Sequence, residues 1–257
     1  MGRFPGDCLK LPPTIYLPVG SIMSEDTKER VLAAAGPIFA EKGFQAATVR
    51  EICAAAGTNQ AAINYHFRDK ATLYQEVVQL AQRMRLQQVP PAQWPAETES
   101  AEKLRLFIHT ILTRMLDTRQ VQWPMRIMLR EMLHPTAACQ PLVEQFIRPQ
   151  FEQLLGILRE LVPAEAPLYR LHQFAFSIIG QCVQYRVAGE FVALLIPEGE
   201  RASHYQTGQL ADQITRFSMA ALTELSRHPI ALDSSRQPAN PPAKEILAGK
   251  NQPLARS

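Results

Sequence analysis

The sequence predicts an all-α protein, with a three-helix N-terminal helix-turn-helix unit followed by a larger helical domain. Three observations carry this. Apolar residues recur at helical spacing along most of the chain, and no stretch alternates with strand period. Polar caps, glycines and prolines punctuate those periodic runs where helices should begin and end.

Asp26, with Glu29 three residues on, caps a first helix whose inner stripe is Val31, Leu32, Ala35, Ile38 and Phe39 and which ends at Gly43. Thr48 and Glu51 form a capping box that starts a second helix at Val49, with Ile52, Cys53 and Ala56 on a small apolar face. Gly57 lets the chain turn with positive φ. Asn59 caps a third helix that buries Ile63 and Phe67, four residues apart. Gln60, Ala61, Asn64 and Tyr65 are left facing outward. Two short helices joined this way are a tool for entering the DNA major groove. Asp69 caps a fourth helix, with Leu73, Tyr74, Val77, Val78 and Ala81 inward.

Pro90, Pro91 and Pro95, with Trp94 among them, mark a linker. Periodicity resumes from Ser100 to Thr118 through Leu104, Phe107, Ile108, Ile111, Leu112 and Met115. Further helices are expected over Trp123–Leu133, over Gln140–Leu161 with a bend at Pro149, over Leu168–Leu195, and over His204–Ser226. The implied organisation is a disordered extension over 1–23, a DNA-binding domain over 24–85, a helical regulatory and dimerisation domain over 86–227, and a disordered tail over 228–257. Met23 directly precedes the first helix, so residues 1–22 are either a tail or lie upstream of the true start.

Composition excludes several classes. No stretch approaches the ~20 apolar residues of a membrane-spanning helix, and the proline-broken segment Leu11 to Met23 is no signal peptide. The four cysteines are far apart and the six histidines have no metal-ligand spacing, which implies reduced thiols in a cytoplasmic protein with no metal or cofactor. A net charge of +3 permits nucleic-acid binding without arguing for it, so any electrostatic footprint is local. No GxSxG, HExxH, P-loop or dinucleotide fingerprint occurs, so an enzyme is not expected.

The run "TVREICAAAG", then seven residues, then "YHFRDKATLY" resembles the TetR family of bacterial transcriptional regulators over about Thr27 to Met84. The segment "REMLHPTAACQPLVEQFIRPQ", Arg130 to Gln150, resembles the CecR-like branch of that family. Five positions depart from the family's habit. Cys53 stands for its usual Ala, Thr58 for Val, Ala61-Ala62 for Gly-Thr and Asn64 for Tyr. The last two changes touch the outward face, so the base preferences of other members do not transfer. The resemblance implies a homodimeric regulator of double-stranded DNA, most simply a repressor released by a small-molecule effector. An activator, or a regulator controlled by a protein partner, is the alternative.

The DNA-facing set is then Thr48, Asn59, Gln60, Ala61, Asn64, Tyr65, His66 and Lys70. Gln60 suits a bidentate contact to adenine and Ala61 a thymine methyl, while Asn64, one turn on, reaches a second base. Tyr65, His66, Thr48 and Lys70 suit phosphate oxygens. Thr48 serves equally as a pure cap, His66 as a packing partner of Phe67, and Lys70 as a solvated charge. One such motif reads few base pairs, so a dimer on a pseudo-palindrome is expected.

Candidate residues for an effector pocket are Phe107, Met115, Trp123, Met128, Arg130 and His134, although each also suits ordinary core or surface. Leu171, Phe174, Ile178, Cys182, Phe217 and Leu225 suit either a dimer seam or the subunit's own core. Small neighbours (Ala175, Gly180, Ala220, Ala221) favour the seam.

Overall fold

The computed structural model describes residues 19–117 and 121–227, with side chains from Asp26 to Asp117 and Val121 to Glu224. The expected N-terminal extension lies outside it up to residue 18, as does the C-terminal tail from residue 228. No strand occurs among the described residues.

Helices α1 (Val19–Ala46), α2 (Val49–Ala56), α3 (Gln60–Phe67) and α4 (Lys70–Gln88) build the N-terminal unit. α1 begins ahead of Asp26, which is therefore no cap; it pairs with Arg30 one turn later, at 3.8 Å. Gly43 breaks the helix as expected, at φ 77°. The Thr48–Glu51 capping box is complete. Thr48 Oγ1 accepts from the Glu51 amide at 3.2 Å, and Glu51 Oε2 accepts from the Thr48 amide at 3.0 Å. Gly57 closes α2 in the left-handed region (φ 61°, ψ 40°). Asn59 and Asp69 cap α3 and α4 by accepting from Ala62 N and Thr72 N at 3.0 and 2.8 Å.

The larger half comprises α5 (Ser100–Leu116), α6 (Trp123–Leu133), α7 (Cys139–Leu142), α8 (Arg148–Leu161), α9 (Leu168–Val187), α10 (Gly189–Leu195), α11 (Glu198–His204) and α12 (Thr207–Arg227). The helix expected from Gln140 to Leu161 starts at Cys139 and is interrupted by a π-helical stretch, Val143–Ile147, just before Pro149. A proline has no N–H to give the preceding turn, and the wider turn absorbs that loss. The run expected over Leu168–Leu195 is divided, because Ala188 leaves the helical region (φ −97°, ψ 19°) beside Gly189. His204 ends α11 rather than opening α12, and Tyr205 turns the chain there.

Two apolar cores form, and their boundary departs from the sequence-based one at residue 85. The first gathers Phe39, Ile52, Ile63, Phe67 and Leu73 but also takes Ile127 and Met128 of α6 and Leu142 of α7. The second joins α5, α8, α9 and α12 through Leu104, Ile108, Leu154, Leu158, Leu171 and Ile214. α6 thus belongs in sequence to the larger half and in packing to the DNA-binding unit.

Three of the proposed seam residues are corrected by this packing. Leu171, Ile178 and Cys182 are at most 2% exposed inside the second core, so they hold the subunit together and face no partner. Phe174 is half-buried against the same core. Phe217 points outward, 61% exposed, and the Leu225 side chain lies outside the described residues.

Candidate nucleic-acid interface and effector cavity

On α3 the outward residues stand as the spacing requires. Gln60, Ala61, Asn64 and Tyr65 are exposed, and Ile63 and Phe67 are buried beneath them. The Tyr65 ring, 78% exposed, meets the edge of His66 at 5.0 Å, which limits its swing while leaving its hydroxyl free to reach outward. His66 is half-buried, with its ring 6.1 Å from that of Phe67, so its packing role is present.

Thr48 is exposed at the N-terminus of α2, and its hydroxyl also donates to Glu51 Oε2 at 2.9 Å. Asn59 is exposed and uses its side-chain oxygen for the cap. Lys70 is not a free charge. Its ammonium donates to the Gln45 carbonyl at 3.1 Å and lies 4.9 Å from the centre of the Phe44 ring, tying α4 to the end of α1.

Arg68 was not among the expected DNA-facing residues. It is exposed at the end of α3 with φ 67° and ψ −55°, a non-glycine in positive φ. The Asp69 amide donates to the Phe67 carbonyl at 2.7 Å, which makes this a strained γ-turn. The turn places a guanidinium beside the reading helix. Arg-Asp at a helix junction gave no sequence cue to such a conformation.

The second site is a cavity of about 160 Å³ between the end of α4 and helices α5, α6, α8 and α9. Phe107, Met115 and Met128 of the pocket candidates line it, together with Met125 and Met132. The other three pocket candidates lie elsewhere. Trp123 packs flat on Gly36 of α1, where an added Cβ would stand 2.8 Å from the indole. Arg130 donates through Nε to the Ala40 carbonyl at 2.8 Å and through Nη2 to that of Glu41, gripping the last turns of α1. His134 is exposed at the end of α6, beside a separate surface cleft near Lys42 and Gln45. Apolar periodicity placed Trp123 and Arg130 on one helix, with His134 just past its end, without saying which neighbour each face meets.

α6 therefore has two working faces. Met125, Met128, Leu129 and Met132 look into the cavity. Trp123, Ile127, Arg130 and Glu131 hold the DNA-binding unit. Glu131 is 1% exposed and accepts from the Tyr74 hydroxyl of α4 at 2.7 Å; it also accepts from the Thr136 amide and hydroxyl at 3.1 and 3.0 Å. Burial, then the bond to this carboxylate, pushes the Tyr74 phenol well above its usual pKa.

A capped helix-turn-helix with an amide- and phenol-bearing outer face, carried on an all-helical body, defines a transcriptional regulator that binds DNA. Residues 31–77 match the bacterial regulatory proteins of the tetR family, and residues 100–222 match the C-terminal domain of the HTH-type transcriptional dual regulator CecR. The chain is 30% identical over 191 residues to the dual regulator CecR of Shigella flexneri, covering 69% of this chain and 83% of that protein. It is 38% identical over 53 residues to the transcriptional repressor BepR of Brucella suis, a match that covers 21% of this chain and 25% of that one. A TetR-like regulator from Rhodococcus sp. RHA1 shares the fold with a TM-score of 0.56 at 18% identity, over 77% of this chain and 96% of that one. The chain belongs to the TetR family and is of CecR-like type. Members of this family bind DNA and act as dimers, and no helix among the described residues is long and apolar enough to cross a membrane.

Proposed function

We propose that this protein is a cytoplasmic homodimeric repressor that reads a pseudo-palindromic operator through paired α3 helices and leaves it when a small molecule occupies the cavity. It works by binding alone, without turnover. The observation that carries the reading is the double role of α6, one face lining the cavity and the other holding α1 and α4. An effector that seats better when α6 is displaced shifts the population away from the spacing of the two heads that fits DNA.

Gln60, Ala61 and Asn64 read bases, while Thr48, Asn59, Tyr65, His66, Lys70 and Arg68 grip the backbone. The dimer seam runs over the outer faces of α9 and α12, where Phe176 and Phe217 are 68% and 61% exposed beside the exposed small residues Gly180 and Ala220.

Sedimentation at micromolar concentration, followed by operator-release titrations with compounds that stabilise the protein, tests this reading. A dimer that lets go of operator on ligand binding supports it. A monomer, or a stabilising ligand that leaves operator binding untouched, refutes it. A second outcome, activation at some promoters, is favoured by the name of the Shigella relative, a dual regulator. Transcription in vitro from both promoter classes separates the two.

A further inference from the structure

The cavity holds a polar cluster that its apolar walls do not explain. Phe107, Ile111, Met115 and Phe151 surround it, yet Gln82, Arg85, Arg114 and Gln150 also line it. Arg114 is 6% exposed. Its Nε donates to the Val89 carbonyl at 2.7 Å and its Nη1 to the Gln150 side chain, while Nη2 is buried without a partner. Arg85 is half-buried; it donates through Nη1 to Gln82 at 3.0 Å, and its Nε atom is likewise buried without a partner. Neither guanidinium forms an ion pair with an acidic side chain among the described residues, and Arg186 adds a third positive charge nearby. Burial pushes both down to about 10, with the neighbouring arginine charges adding to the effect at Arg85, so both remain charged at neutral pH.

Buried charges in proteins are paired, and an unpaired one is costly. Two neighbouring guanidiniums with one orphan nitrogen each, beside a largely apolar chamber, lack a counter-anion. We propose that the chamber takes a monoanionic arylcarboxylate, its carboxylate oxygens received by Arg85 and Arg114 and its ring held among Phe107, Ile111, Met115 and Phe151. Two orphan donors match the two oxygens of one carboxylate, and such charge-assisted bonds are the strong ones. The size also fits, because an apolar cavity of about 150 Å³ holds one benzene ring. This assignment rests on the effector-sensing reading above and names the chemistry of the effector. Met125, Met128 and Leu129 of α6 share the chamber, so the ring would touch the helix that grips the DNA-binding unit.

The test uses the full chain at pH 7.5 and thermal melting with benzoate, phenylacetate and 3-phenylpropionate, each beside its neutral amide and its amine analogue. At least one acid is expected to raise Tm saturably and to release operator, with its amide about tenfold or more weaker. Arg114→Met and Arg85→Met are expected to keep the helical circular-dichroism signal and lose the response to acid. Arg85→Met without ligand should melt close to wild type, since the relief of a part-buried charge offsets the lost bond to Gln82. The assignment is overturned if amides bind as well as acids, if no acid shifts Tm, if the variants keep the shift, or if unliganded Arg85→Met melts far below wild type. A neutral or cationic compound that stabilises the protein and releases operator overturns the anion while leaving the sensing role intact. If compounds of neither sign bind, the sensing role falls as well.

Discussion

Removing the Tyr74 hydroxyl isolates the one buried polar contact that joins α4 to α6 among the described residues. In Tyr74→Phe, Glu131 loses a donor at 2.7 Å but keeps the Thr136 amide and hydroxyl at 3.1 and 3.0 Å. The carboxylate is therefore not orphaned, and the cost is that of one hydrogen bond to a charged acceptor, about 1.5–3 kcal/mol. Glu131→Ala also strands the phenol and Thr136 and opens a void, so its cost is larger, about 3–5 kcal/mol. Urea unfolding at fixed protein concentration reads both, and with a slope of about 2–3 kcal/mol/M the first variant lowers the midpoint by about 0.5–1.5 M. Non-additivity of about 1 kcal/mol or more in the double variant assigns the effect to the pair. An unchanged midpoint for Tyr74→Phe, or strictly additive costs, refutes the claim that this contact ties the cavity helix to the DNA-binding unit.

Gly36→Ala drives a methyl into the Trp123 ring and is expected to cost about 1–3 kcal/mol as an overpacked contact, seen as a lower Tm and altered tryptophan emission. An unchanged Tm would mean that α1 and α6 slide freely. Lys70→Ala weakens binding to all DNA sequences alike and flattens the dependence of affinity on salt, and it also lowers Tm modestly because the tie to Gln45 is lost. Glu51 is held down to about 2, first by its bond from Lys42 and then by those from Thr48, so its folded-state pKa lies below the ordinary 4.5. Its stabilising effect is thus present above 4.5 and disappears as pH falls toward 2, and the Tm advantage of wild type over Glu51→Gln narrows across that window. A constant difference would contradict the pairing.

The N-terminal unit was legible because its signals are local. Thr48 and Glu51, Asn59 and Ala62, and Asp69 and Thr72 are partners three residues apart, and Gly57 sits where a left-handed residue is needed. The larger half was legible as helices but not as neighbours. The same period marks Leu171, which fills the subunit core, and would equally mark a residue in a seam. Trp123 reads as cavity wall until Gly36 is seen beneath it. The missed polar residues left a signal all the same. Arg114 follows Phe107 by seven residues and Ile111 by three, and Glu131 follows Ile127 by four, so both lie on apolar stripes where a charge needs a buried reason. What each charge meets depends on helices far away in sequence, which periodicity does not encode.

The central claim is that α3 of two subunits reads DNA sequence through Gln60. Selection of binding sites from randomised duplexes, performed in parallel on the full chain and on Gln60→Ala, tests it most directly. The expected result is an inverted repeat for the full chain. For the variant, the same repeat should relax at one symmetry-related position per half-site, with a loss of about 1–3 kcal/mol on the original site. An unchanged base ranking for Gln60→Ala, or the recovery of no repeated half-site by the full chain, would contradict it.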